Sequence, residues 1–244
     1  MGLIKNMKIQ IDLERYKKEE KKAGIRINKF LSDFGILSRR ETDKLISQKK
    51  IHINDKIASL GDRVKDKDSI FINQKMESLK YFIHYKKRGE ETTFKLIDKI
   101  RYEPIGRLDK ESEGLLIYSN DYRIVEKLLN PKNKLEREYF VQVREKATPR
   151  VKTILEKGIQ TRENSYSPAK RVTLDEENRN VIKIVLIEGK KHEIRRMLNA
   201  LNLTILSLKR VRFSFLKLEK LKPGEFRELK GEELKKFLES LNIK

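Results

Sequence analysis

Short apolar runs of strand length recur from residue 81 onward and dominate what this chain can fold into. Tyr81 to Tyr85, Leu115 to Ser119, Glu138 to Arg144, Arg171 to Leu174, Val181 to Ile187, Leu208 to Leu218 and Phe226 to Leu229 carry alternating, β-branched or aromatic residues. Helical spacing is confined to shorter stretches: Phe94 to Ile100, Arg123 to Leu129, a segment closed by Gly158, His192 to Leu201, and a terminal helix from Glu232. Strands outnumber helices and follow one another in hairpin-like succession. That order predicts an α+β fold with a mainly antiparallel sheet rather than alternating βαβ units.

The first 80 residues read differently. Residues 1–24 are highly charged without a sustained apolar face and are expected to be a flexible basic extension. Ile27, Phe30, Leu31 and Phe34 then keep helical spacing until Gly35 stops it. Ser38 and Glu41 have the spacing of a capping box, which predicts a second helix to about Gln48. Ile51-His52-Ile53, a turn at Asn54-Asp55, and Ile57, Val64, Ile70 and Phe71 supply short strand material. These readings divide the chain into an extension (1–24), a compact module of two helices and a hairpin (25–73), a link near Asn73 to Leu79, and a larger unit (78–244).

Lys and Arg number 58 against 37 Asp and Glu, giving a formal charge of +21 spread along the chain. A polyanion is therefore the expected partner, with nucleic acid ahead of an anionic membrane surface. A genome-wide bias toward lysine would raise the charge without any ligand. No apolar stretch approaches the ~20 residues that span a bilayer, and the first residues lack a signal-peptide core. Zero cysteines exclude disulfides, thiolate zinc sites and cysteine nucleophiles. No Walker A or dinucleotide fingerprint is present, and His52, His84 and His192 lie too far apart for a zinc pair. These features suit a cytoplasmic monomer.

Residues 25–73 resemble the alpha-L RNA-binding domain shared with the fourth protein of the bacterial small ribosomal subunit. The likeness lies in RINKFLSDFGILSRRETDKLISQKKIHINDK followed by LGDRV. It implies that the second helix and the following turn face RNA, which singles out Arg39, Arg40, Lys44, Lys49 and Lys50. Contacts from these side chains to phosphate would give salt-dependent affinity without reading sequence. A simply solvated helix face is the alternative.

The motif GRLDKESEGLLIYSND, residues 106 to 121, resembles the catalytic motif of the pseudouridine synthases that modify bacterial ribosomal RNA. REYFVQV, EGKKHEIRRM, LKRVRF and LKPGEFREL follow in family order. The resemblance implies a pseudouridine synthase fold with a mixed, mostly antiparallel sheet and a cleft across it. It also implies isomerisation of uridine to pseudouridine in ribosomal RNA or a pre-ribosomal particle, with no cofactor and no metal. The EREY and LGDRV details lean toward the members that modify the large subunit, with the small-subunit type as the near alternative.

By the same resemblance Asp109 is the catalytic carboxylate, Arg195 its basic partner and Tyr139 the residue that stacks on the target base. Physical chemistry agrees with the pairing, because a neighbouring guanidinium favours an ionised carboxylate in a dry cleft. Periodicity selects the same arginine: Ile194, Met197, Leu198 and Leu201 form a stripe, Arg195 falls at its edge and Arg196 points away. Alternation puts Tyr139 with Val141 and Val143, a pattern that a plain core tyrosine satisfies equally. Arg107 would hold phosphate or fill the space of an extruded base, or else pair with Glu111 or Glu113. Gly106 and Gly114 are expected to permit close backbone approach.

Two other functions compete. A non-catalytic RNA-binding or ribosome-assembly factor would not need Asp109, Tyr139 and Arg195 together. A metal-dependent nuclease would use Asp109 with Glu111 and Glu113, and would cut RNA. The chain departs from the family at Lys86-Lys87-Arg88-Gly89, where Lys-Pro-x-Gly is usual, and Glu193 stands where Gln is common. The first departure puts a local RNA contact in question and leaves the aspartate untouched.

Overall fold

The structure is a computed structural model that describes residues 7–14, 16–73, 78–160, 165–190 and 192–243. It divides into two compact units, the first being residues 1–79 with 121–126 and residue 243, the second essentially the remainder.

In the first unit, helices Ile27–Asp33 and Arg39–Ser47 pack with a four-stranded antiparallel sheet. The sheet order is Met7–Gln10, Ser69–Ile72, Ile51–Ile53, Lys56–Ile57. Ser38 caps the second helix, its hydroxyl accepting from the Glu41 amide at 3.1 Å. Ile27, Phe30, Leu31, Leu45, Ile46, Ile51, Ile70 and Ile72 fill the core.

The expected flexible extension is corrected here. Met7–Gln10 pairs antiparallel with Ser69–Ile72, with Ile9 opposite Ile70, and Ile11 and Leu13 are buried in the same core. The Tyr16 hydroxyl donates to Asp33 at 2.8 Å, and Lys18–Ala23 is helical. The physical reason is period two: Ile9, Ile11 and Leu13 alternate with polar residues, and a short strand with Lys8 and Gln10 on its polar side suits a sheet edge. Burying Ile11 and Leu13 contributes ~1.5–3 kcal/mol each, enough to hold a segment that charge alone would leave in water. Residues 1–6 and most of the link, 74–77, lie outside the described residues.

The second unit is built on a ten-stranded sheet. Its path runs Arg171–Leu174, Val181–Leu186, Arg137–Val143, Ile205–Phe213, Glu113–Ser119, Tyr81–Lys86, Phe226–Glu228. Helices Pro149–Lys157 and Glu193–Asn199 supply Leu155, Ile194, Met197 and Leu198 to the core that also holds Tyr139, Val141, Val143, Ile182 and Ile184. Phe140 is on the opposite face and exposed, as alternation requires.

Phe94 to Ile100 is not the expected helix. Lys95–Ile97 and Ile100–Ile105 form a hairpin, with Asp98 at φ 51° and Lys99 at φ 66° in the turn. Two consecutive left-handed residues make the turn type whose twist suits a two-residue hairpin. Ile97 and Ile100 pack against the Phe82, Tyr102, Leu116 and Tyr118 cluster, while Phe94 and Leu96 remain exposed. Leu208 to Leu218 is likewise not one strand: Ile205–Phe213 turns at Ser214, φ 54°, into Leu216–Lys217.

One feature of the sheet prepares the site. Along one edge of Glu113–Ser119, residues Gly114 to Ser119 pair with Lys86 to Tyr81, but the other edge changes partner. Glu113 and Gly114 lie opposite Lys209 and Arg210 in parallel, whereas Ile117 to Ser119 lie opposite Ile105 to Glu103 antiparallel. The sheet forks there, and the loop 106–112 leaves from the fork. Gly114 permits it: a Cβ at this position would stand 2.2 Å from the Arg210 carbonyl oxygen, and its φ is 112°.

Candidate active site

The loop from Gly106 to Ser112 is tied at several points. The Thr92 hydroxyl donates to the Leu108 carbonyl at 2.9 Å and accepts from the Leu108 amide at 3.4 Å. The Ser112 amide closes a turn on the Asp109 carbonyl at 3.0 Å. Lys86 is fully buried, and its ammonium donates to the carbonyls of Lys87, Lys110 and Ser112 at 3.0, 3.2 and 2.7 Å. Burial pulls its pKa below the ordinary lysine value, against the attraction of Glu90, Asp109, Glu111 and Glu113. The chain's departure at Lys86-Gly89 thus keeps a lysine whose work is to hold the loop.

Arg195 reaches the same loop from the helix Glu193–Asn199. Its Nη2 donates to the Glu111 carbonyl at 2.9 Å and to the Ser112 hydroxyl at 3.0 Å, and its Nε stands 3.7 Å from Asp109 Oδ2. Arg196, one residue on, is exposed. Periodicity therefore separated the two arginines correctly. His192, just before the helix, places Nε2 3.1 Å from Asp109 Oδ1.

Asp109 opens onto a cavity of about 920 Å³, within the upper part of the usual range for ligand clefts. Arg107, Tyr139, Arg137, His192, Arg210 and Phe213 are among its walls. Tyr139 is brought there by its strand, which carries a register shift between Glu138 and Tyr139 against Ile205–Phe213; such bulges re-aim a side chain. Five Lys and Arg side chains line the space against three carboxylates, Glu91, Asp109 and Glu188. A cavity with that balance favours an anionic occupant.

Two buried guanidiniums were not foreseen. Arg137 donates to the carbonyls of Leu128, Leu135 and Ile187 at 3.1 to 3.2 Å, and burial lowers its pKa. Arg210 donates to the Leu115 carbonyl at 2.7 Å, across the fork. Both lie over Phe213, with guanidinium carbons 4.8 and 5.7 Å from the ring centroid. Extending the alternation of Tyr139, Val141 and Val143 back by one step would have placed Arg137 on the same face. His192 carried no such signal, because a lone histidine beside lysines has no periodic partner.

Arg107 is exposed at the cavity and, among the described residues, forms no ion pair. The alternative of a bond to Glu111 is not realised, since Glu111 pairs with Arg88 at 3.2 Å. Glu111 and Glu113 do not line the cavity, which removes the carboxylate trio that a nuclease would use. Arg39, Arg40, Lys44, Lys49 and Lys50 are all exposed in the first unit, the first three on the helix Arg39–Ser47 and the last two in the turn that follows. Among the described residues no helix is long and apolar enough to cross a membrane.

The comparisons with known proteins agree with this geometry. The family model described as RNA pseudouridylate synthase matches residues 64–200, and the S4 domain model matches residues 25–70. The chain is 32% identical to the Ribosomal large subunit pseudouridine synthase B of Bacillus subtilis, with 87% of this chain and 95% of that protein covered. It is 31% identical to the Dual-specificity RNA pseudouridine synthase RluF of Escherichia coli K12, over 87% of this chain and 78% of that one. A solved structure described as a pseudouridylate synthase shares the fold at a TM-score of 0.64 and 24% identity, over 89% of this chain and 100% of the other. A forked sheet with Asp109 in a loop at the fork, joined to a family model that spans more than half the chain, makes this protein a member of the RNA pseudouridylate synthase family, with an S4 domain ahead of the catalytic unit.

Proposed function

We propose that the protein isomerises uridine to pseudouridine in ribosomal RNA, and that its target is in the large subunit. The observation that carries the reading is the Asp109 carboxylate at the mouth of a basic cavity, flanked by Arg195 and His192. The reaction breaks the bond from the sugar C1′ to N1, turns the uracil, and forms a bond from C1′ to C5; N1 gains a proton and C5 loses one. Nothing is added or removed overall, so the chemistry consumes no cofactor. The Asp109 carboxylate either attacks C1′ or takes the proton beside it, and the same geometry serves both routes.

Tyr139 fits the part of a stacking platform for an extruded base, and the exposed Arg107 that of a phosphate or base-space contact. Arg39, Arg40, Lys44, Lys49 and Lys50 act on the RNA backbone from the S4 domain. The similarity to a large-subunit enzyme supports the choice of subunit.

Carbodiimide mapping of ribosomal RNA, from cells with and without the protein, tests this reading. At least one large-subunit pseudouridine should vanish without the protein, return with the wild type, and stay absent with Asp109→Asn. Restoration by Asp109→Asn would remove the aspartate from the chemistry. Loss confined to small-subunit RNA would move the target and keep the reaction.

A further inference from the structure

We propose that His192 is a positioning residue for Asp109, holding one carboxylate oxygen so that the other is presented to the substrate sugar. This rests on the reaction assigned above. The two oxygens have unequal surroundings. Oδ1 has the His192 Nε2 at 3.1 Å, whereas the Arg195 Nε stands 3.7 Å from Oδ2, beyond hydrogen-bond range. Arg195 spends its Nη2 on the Glu111 carbonyl and the Ser112 hydroxyl, so it fixes the loop and lends charge without gripping the carboxylate.

The histidine backbone supports a set ring direction. His192 has φ 56°, a left-handed conformation that residues other than glycine keep where the surroundings demand it. Those surroundings are a closed turn: the Glu193 amide donates to the Lys190 carbonyl at 3.2 Å, the Lys190 amide donates to the Glu193 carboxylate at 3.0 Å, and the Arg196 amide donates to the His192 carbonyl at 2.9 Å. The ring nitrogen stands within hydrogen-bond distance of Asp109 Oδ1, and catalytic contacts that are loose in a free enzyme tighten when substrate closes the site. Either the neutral ring protonated at Nε2 or the imidazolium offers the needed donor.

The test uses the full-length protein and, as probe, unmodified transcripts of the source organism's large- and small-subunit ribosomal RNA, tritiated at uracil C5. Pseudouridine formation releases that tritium. His192→Gln keeps an amide donor at the position of Nε2, while His192→Asn tolerates the left-handed backbone but is too short to reach Oδ1. The expected result is a kcat for His192→Asn lowered on the order of tenfold with KM for RNA unchanged, and a kcat for His192→Gln close to wild type. Wild-type kcat in His192→Asn, equal losses in both variants, or a loss confined to KM would each overturn the positioning role alone. No tritium release by the wild-type protein from either transcript would overturn the assigned reaction, and this role with it.

Discussion

Glu193 shows what a single residue costs when its environment and its charge disagree. It is buried at the start of the helix Glu193–Asn199, and burial raises its carboxyl pKa despite the Lys190 amide and the nearby Lys190 and Arg137 charges. A carboxyl raised in the folded state binds protons more readily folded than unfolded, so stability falls as pH rises from the unfolded value near 4.5 and stays lower above the folded one. Glu193→Gln keeps an oxygen for the Lys190 amide and removes the charge. Thermal unfolding should therefore give a higher Tm for the variant at pH 8, with the gap closing as pH drops below about 4.5; a lower Tm at pH 8 would mean that the carboxylate's attractions outweigh its burial. At this scale the sequence was informative wherever a periodic frame existed. Arg195 and Arg196 were told apart by a helical stripe, and Tyr139 and Phe140 by a strand's alternation. Lys86, His192 and Arg210 belong to contacts made by distant segments, and no local period points to them.

Elements were legible to the extent that their pattern was unambiguous. Apart from Ile205–Phe213, which begins earlier than its apolar run and ends at the Ser214 turn, the strands around the site match their apolar runs within a residue or two, because both faces or one clean face are buried. The hairpin at 95–105 was misread since Phe94, Leu96 and Ile97 also fit a short helical window, and only the left-handed Asp98-Lys99 pair decides the matter. The first strand, Met7–Gln10, is only four residues long and sits in a segment whose charge hides the alternation of Ile9, Ile11 and Leu13. Gly114 is where an element depends on one residue. An added Cβ would overlap the Arg210 backbone, with oxygen, nitrogen and carbon at 2.2, 2.7 and 2.9 Å, in a parallel pairing of the sheet. Overpacking of that kind costs ~1–3 kcal/mol, and the positive φ adds ~1–3 kcal/mol. Gly114→Ala should thus lower the Tm of the catalytic unit by roughly 10 °C and abolish pseudouridine formation by prying the fork apart. Gly89 is the control, with φ 81° and open space around it. Its alanine variant carries only the backbone strain, and equal losses at the two positions would show that the close approach to Arg210 is not what Gly114 is for.

For the whole molecule, charge and fold answer different needs. The catalytic unit offers a basic cavity of fixed geometry, and the S4 domain offers exposed cations on a core that needs none of them. Arg39 and Arg40 open the helix Arg39–Ser47, and its buried side chains are Thr42, Leu45 and Ile46. Replacing both arginines with alanine leaves that core intact and substitutes the best helix former at each site, so the unit should fold as before. Its effect should appear in the salt dependence of RNA affinity. Each phosphate contact releases counterions and contributes ~0.7–0.9 to the slope of log K against log salt concentration. If both arginines touch phosphate, the double variant loses about 1.5 from that slope, so its binding is much weaker than wild type at low salt and approaches it at high salt. Filter binding of a large-subunit ribosomal RNA fragment across a salt series measures the difference directly. Two parallel lines would mean that the arginines bind by something other than phosphate charge, and superimposed lines would mean that they face water.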